Sequence, residues 1–422
     1  MPDASWTWMV YLATHNNAAE VGEESVALMR QAAGAPQAAR QPGVRVVIQQ
    51  STPDRTVRRI LGADPEVVAD LGQVDSGAPE TLLDFIRWAA QTAPAQRYAL
   101  VLWSHGSGWA PSEMERLAQQ QPAPVPVTAS ELKQRGAGDT AGQVFFSTSM
   151  RELLSKPTPA DRAIAFDDGS GHSLDAIELG QVAAQAAGLL GRPIDLVGMN
   201  ACQMCNAEVA YQLRGSADVF VASQEDMPVH GWPYDEILAQ MAAQPGMDAA
   251  ALGKLAVEHY CAYFRANPLP WGQEGLPAGV TLAAIKLDGI ARLADAARAL
   301  ATILHDDIAS LSDAVWAAHA KAHKFKFQLY DLASFCHALA AAPGVTPAAA
   351  AAAQAALATL ADPALLLAQE HVGAAYDDVG GLTTYLLPPG AGKPISPYYA
   401  ETAYAQATSW GAFLAAYHAA VG

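Results

Sequence analysis

Two short stretches of this 422-residue sequence carry groups suited to acyl-transfer chemistry. In the first, an apolar run ends in His105-Gly-Ser-Gly-Trp109. In the second, another apolar run ends in Asn200-Ala-Cys202-Gln-Met-Cys205. A cysteine attacks as its thiolate, and a neighbouring imidazole lowers the thiol pKa and can protonate a leaving amine. The spacing predicts Cys202 as nucleophile and His105 as its acid/base partner. The glycines after the histidine let the backbone approach a ligand closely, so the N–H groups of Gly106 and Cys202 are expected to face a developing oxyanion. A helix beginning at the cysteine is expected to stabilise the thiolate through its dipole and free N–H groups.

For these groups to meet, their two apolar runs must be adjacent parallel strands, because open α/β sheets bind ligands at the carboxyl ends of strands. Strand-like runs at residues 6–12, 44–50, 98–103, 194–199 and 218–222 alternate with helical patterns at 80–91, 174–190 and 207–213. That alternation predicts a sheet with helices on both faces. The run 57–62 reads as a hairpin return. Beyond Gly246 the pattern turns mostly helical, at 290–305, 312–324, 329–341, 347–360 and 404–420, with strands at 280–287 and 381–387. We expect a catalytic domain over 1–290 and a mostly helical C-terminal subdomain over 291–422. One interval, 111–161, breaks the pattern with a Gln-Gln-Gln-Pro-Ala-Pro-Val-Pro run followed by basic residues among glycines. A loop this long in a compact domain is usually functional or disordered.

The bulk composition narrows the partners. With 25 basic and 42 acidic residues the net charge is -17, a field that repels phosphate backbones and anionic membrane surfaces. Neither nucleic acid nor membrane is an expected partner, whereas basic peptide segments are favoured. Four cysteines are too few for a disulfide scaffold in a chain of this size. No basic segment followed by an apolar one opens the sequence, and no apolar run approaches the roughly 20 residues that span a bilayer. A cytoplasmic setting is therefore expected.

The two chemical stretches resemble those of the clostripain-like cysteine peptidases, a branch of the caspase-like clan. In that family the catalytic histidine lies in a strand–HGxGW stretch and the cysteine in a DxCxM-type stretch. The segments 6–17, 163–174, 221–234, 328–332 and 381–388 are similar to further family landmarks in the same order. The resemblance implies a caspase-like α/β/α sandwich with a mostly parallel central sheet and a Cys–His dyad without an obligatory third residue. It also implies protein or peptide substrates cleaved after Arg or Lys, and no required cofactor. Similar proteases are often matured by a cut between the His and Cys strands. Lys133 and Arg135 are the candidate processing sites, and an upstream activating protease or regulatory protein is a candidate partner. The sequence departs from the family at Asn200, where relatives often carry Asp. The missing carboxylate removes a charge-assisted contact worth roughly 1.5–3 kcal/mol when buried. Glu225 and Asp226, at the end of the next strand, are candidate substitutes for binding a basic side chain, with Asp175 more remote.

Other readings of the same residues stay in view. Cys202-x-x-Cys205 also suits a thiol oxidoreductase, and a scaffold protein on the same fold would need no dyad, although both members are present. No second CxxC completes a zinc site. Cys205 is expected on the packed side, and Cys261 and Cys336 are expected to be buried apolar residues. His319 and His323 share a helix face but lack the glutamate of an HExxH arrangement, so a solvated face is expected and no metal is assigned. The Asp167-Asp168-Gly-Ser-Gly171 run is expected to form a turn; calcium is left open there, since some clostripain relatives respond to it. Gly106-Ser107-Gly108 is not the GxSxG elbow of a serine hydrolase.

Overall fold

The computed structural model describes residues 4–33, 43–109, 164–272, 277–392 and 394–421. Its strands are β1 (Ala4–Ala13), β2 (Val44–Ser51), β3 (Thr56–Ile60), β4 (Val67–Gly72), β5 (Ala95–Trp103) and β6 (Ile194–Asn200). Then come β7 (Ala217–Ala222), β8 (Val280–Lys286), β9 (Leu329–Asp331), β10 (Leu366–Val372) and β11 (Thr383–Tyr385). Nine of them form one sheet, ordered β10-β8-β7-β6-β5-β1-β2-β3-β4, while β9 and β11 pair separately. The five central strands, from β7 to β2, run parallel, and both edges are antiparallel.

Strand periodicity explains the layers. Successive side chains of a strand point to opposite faces. On β1, Trp6, Trp8, Val10 and Leu12 join one buried cluster, while Met9, Tyr11 and Ala13 join the other. The first cluster is covered by α1 (Ala19–Ala33). The opposite cluster is covered by α2 (Pro79–Thr92), α3 (Ala176–Leu190) and the short α4 (Ala207–Gln212). The first face is completed by α5 (Tyr234–Ala243) and α6 (Ala249–Ala266). The second is extended by α7 (Ile290–Asp306), α8 (Ile308–Lys321), α9 (Leu332–Ala340) and α10 (Pro347–Leu360). Finally α11 (Ala403–Thr408) and α12 (Trp410–Val421) pack there too. Burial on both faces is why the central strands read as unbroken apolar runs. The result is a caspase-like α/β/α sandwich.

Several boundaries differ from expectation. The stretch 329–341 opens as β9, and its helix starts only at Leu332, because the Asp331 side chain caps it by accepting from the Ser334 N–H at 2.7 Å. The stretch 404–420 is two helices, broken where Ser409 turns left-handed at φ 56°. After its helical stretch the chain returns to the main sheet, since β10 pairs antiparallel with β8. Among the described residues no helix is long and apolar enough to cross a membrane.

Candidate active site

The two chemical stretches meet as their strands demand. In the β5–β6 register, Trp103 lies opposite Asn200. His105 and Cys202 each stand two residues beyond that pair, so both leave the sheet at the same rim. Gly106 packs directly on the other chain: a Cβ there would lie 2.4 Å from the Cys202 carbonyl oxygen and 3.1 Å from its nitrogen. Only glycine allows this approach. The backbones of Gly106 and Cys202, the two expected oxyanion donors, are thus neighbours.

His105 is fully buried, and its Nε2 lies 3.0 Å from the Asn17 side-chain oxygen. With the amide so oriented, its oxygen can only accept. Nε2 therefore carries the proton, and Nδ1 carries the lone pair of the neutral ring. Burial lowers the imidazole pKa to about 3. The ring meets Phe166 edge-on, with centroids 6.1 Å apart. Phe166 is fixed in turn: its carbonyl accepts from Asn16 Nδ2 at 2.8 Å, and its N–H donates to Ser104 Oγ at 3.1 Å. The next residue, Asp167, organises the expected turn. Its carboxylate accepts from the Ser76 N–H and hydroxyl, both at 2.8 Å, from the Gly169 and Ser170 N–H groups, and lies 2.9 Å from His15. Asn17 was not singled out from the sequence. Its signal was a polar Asn16-Asn17 pair just past an apolar strand.

Cys202 is 1% exposed, and its sulfur accepts from the Met227 N–H at 3.2 Å. Burial pushes the thiol pKa well up, reinforced by Asp226, while the Met227 N–H and Lys326 act in the opposite direction. The expected helix-terminus stabilisation is absent. Gln203, left-handed at φ 60°, turns the chain, and α4 begins only at Ala207 behind an Asn206 cap. Asn206 Nδ2 donates back to the Gln203 carbonyl at 3.2 Å and holds that turn. Burial thus disfavours both the thiolate and the imidazolium here.

Of the three carboxylates named from the sequence, Glu225 and Asp226 lie beside the thiol and Asp175 does not. Glu225 and Asp226 immediately precede Met227, the residue that bonds the thiol. Gln203 Nε2 donates to Glu225 at 3.2 Å and to Asp226 at 3.1 Å. Glu225 also accepts from the Tyr376 hydroxyl at 2.8 Å, and Asp226 is ion-paired with Lys326. Burial, with Asp226 beside it, raises Glu225 to about 7. Asn200 is buried under Gly231, where a Cβ would lie 2.5 Å from its amide, and beside the Tyr234 hydroxyl. Asp175 is the N-cap of α3, accepting from the Glu178 N–H at 2.7 Å in a reciprocal capping box. Lys133 and Arg135 lie outside the described residues. Lys326 and Tyr376 come from far along the chain, with no local signal to mark them.

The competing readings find different geometry. All four cysteines are free and buried. Cys202 joins the cluster on the α1 face, whereas Cys205 joins the opposite one and donates to the Gly381 carbonyl at 3.1 Å. Two thiols on opposite faces do not make a redox pair. His319 does not face solvent as expected. It is 4% exposed because Tyr330 and Tyr417 cover it, and burial lowers its pKa to about 4. His323 pairs with Asp378 at 3.0 Å. Among the described residues no group of three or more His, Cys, Asp or Glu is placed to hold a metal ion.

A family model described as the clostripain family matches residues 10–121 and 152–410. Solved cysteine proteases share the fold. One, from Bacteroides thetaiotaomicron, is described as secreted and bound to an irreversible peptide inhibitor. It is 17% identical, with a TM-score of 0.65 over 96% of this chain and 99% of that one. Another, from Parabacteroides distasonis, is described as an inactive zymogen. It is 17% identical, with a TM-score of 0.63 over 97% and 99% of the two chains. A second structure of a secreted Bacteroides thetaiotaomicron protease is 14% identical, with a TM-score of 0.66 over 97% and 100%. No curated protein sequence gave a match. The expected cytoplasmic setting is corrected here: similar proteases are described as secreted, which points away from it.

Proposed function

This chain belongs to the clostripain family of cysteine peptidases, and we propose that it is an endopeptidase of protein or peptide substrates in which Cys202 and His105 do the chemistry. The observation that carries this reading is the matched position of the two residues, each two beyond the paired Trp103 and Asn200. His105 takes the thiol proton at Nδ1, and the sulfur attacks the scissile carbonyl carbon. The Gly106 and Cys202 N–H groups hold the resulting oxyanion. As the tetrahedral species collapses, His105 protonates the departing amine, leaving a thioester on Cys202. Water then attacks the thioester with His105 as base, and the acid product and free thiol return. Asn17 orients the imidazole throughout. The hydrolysis as written uses no cofactor.

The preferred substrate carries Arg or Lys before the scissile bond. Support comes from Glu225 and Asp226, two acids one and two residues from the N–H that bonds the thiol, and from an ammonium already paired with Asp226. The nearly inaccessible thiol fits a precursor rather than a working enzyme. Maturation by a cut in the 111–161 interval, at Lys133 or Arg135, would then release the site, by self-cleavage or by an upstream protease. A peptide library varied before the scissile bond, assayed beside Cys202→Ala, tests the reading. Turnover confined to Ala or Asp at that position overturns the basic preference. Intact masses of wild type and Cys202→Ala after long incubation test self-processing, and two identical single-chain masses count against it.

A further inference from the structure

The Lys326 ammonium and the Asp226 carboxylate form an ion pair of unequal burial. Asp226 has 8% of its side chain exposed, whereas Lys326 retains 48%. The lysine therefore reaches into the acidic subsite from solvent and has a path out again. Its electrostatic neighbours include Asp226, Glu225 and Cys202, so it stands where a substrate's basic side chain would have to lie beside the nucleophile.

The turn that presents Lys326 is held in place with care. Phe327 and Gln328 are both left-handed, at φ 56° and 59°. Non-glycine residues adopt that region in succession only when their surroundings over-determine it, and such strain collects at functional sites. Here the Phe325 N–H donates to the Leu329 carbonyl at 2.8 Å, and the Leu386 N–H donates to the Gln328 carbonyl at 3.0 Å. The Phe325 ring lies parallel to Tyr376, with centroids 6.0 Å apart, and the Tyr376 hydroxyl is the donor to Glu225. One residue of the turn thus braces one pocket acid through Tyr376 while the next residue pairs with the other acid.

We propose that Lys326 is a specificity-determining residue that occupies, from within the chain, the subsite for a basic substrate side chain, so that substrate binds by displacing it. The inference rests on the reading of Cys202 as nucleophile and of Glu225 and Asp226 as pocket acids. It makes this protein a deliberately weakened reader of basic residues: the substrate's cation competes with a tethered one for the same carboxylates. An ion pair with one partner half-exposed sets a modest competition, about two- to fivefold.

The test compares processed wild type, Lys326→Ala and Lys326→Arg on two peptides that differ only in Arg or Ala before the scissile bond. For Lys326→Ala the ratio of kcat/KM for the Arg peptide to that for the Ala peptide rises about two- to fivefold, through KM. Lys326→Arg keeps the wild-type ratio. Agmatine, a free guanidinium probe, inhibits Lys326→Ala at correspondingly lower concentration. Should Lys326→Ala not fold, Lys326→Gln is read in the same way, since it keeps a long polar stem without the charge. A ratio that stays flat or falls, with both peptides slowed together, makes Lys326 a structural brace and overturns the inference alone. A wild type that cleaves the Ala peptide and never the Arg peptide overturns the basic-pocket reading first, and this inference with it.

Discussion

The backbone N–H of Met227 donates to the sulfur of Cys202 across 3.2 Å, one residue beyond the acid that pairs with Lys326. The candidate nucleophile and the candidate pocket acids are therefore tied to a single loop after β7.

The buried, neutral thiol predicts slow alkylation. At pH 7 iodoacetamide should label Cys202 of the intact chain at least about 100-fold more slowly than a free cysteine, because burial both shields the sulfur and depletes its thiolate. The labelling rate should still be climbing at pH 9. Peptide mapping by mass spectrometry reads this, and a rate like that of free cysteine contradicts the closed site.

The Asn17 side-chain oxygen lies 3.0 Å from His105 Nε2, a contact suited to orienting the imidazole. Asn17→Ala should lower kcat by roughly 10- to 100-fold through misorientation of the ring, with little change in thermal midpoint. Asn17→Asp puts an anion on Nε2, which favours imidazolium and raises the histidine pKa. The acid limb of the kcat profile should then move to higher pH, a shift that a merely structural residue would not produce.

Glu225 titrates near 7 because burial and Asp226 oppose its charge. For an Arg-containing peptide, kcat/KM should rise as pH passes through about 7 and the second pocket charge appears. Glu225→Gln should flatten that rise while leaving a neutral peptide's profile nearly unaltered. Identical profiles for wild type and variant on the Arg peptide would remove Glu225 from the pocket.

Two buried histidines should make the fold acid-sensitive. In the folded chain His105 lies at about 3 and His319 at about 4, both below the unfolded value near 6.5. Protonation then favours unfolding, so their contribution is complete above pH 6.5 and is lost as pH falls towards 4 and then 3. For His319 the loss is on the order of 2–3 kcal/mol. Thermal midpoints measured from pH 7 to pH 4 should fall less steeply for His319→Phe than for wild type, and parallel slopes would contradict the account.

The centre of the fold was legible because strands buried on both faces write continuous apolar runs, as β1, β5 and β6 do. The edges were not. β4 exposes Val67, Val68 and Leu71, and β10 is half-buried along its length, so neither carries the interior's apolar signal. His319 was misread because helical spacing marks a shared face but not what covers it. Tyr330 and Tyr417 do the covering, one from β9 and one from α12. In the site, Cys202 and His105 each sit in a local motif and could be read. Asn17, Tyr376 and Lys326 act through contacts between distant segments, and no short stretch of sequence announces those.

The central claim is that Cys202 is the nucleophile. The most direct measurement is active-site labelling of processed protein with a peptide-based thiol inhibitor, alongside turnover, for wild type, Cys202→Ala, His105→Ala and Cys205→Ala. The account predicts that Cys202→Ala loses both label and hydrolysis, His105→Ala loses hydrolysis by at least about 1,000-fold, and Cys205→Ala keeps both. Hydrolysis surviving in Cys202→Ala, or label lost equally in Cys205→Ala, would contradict it.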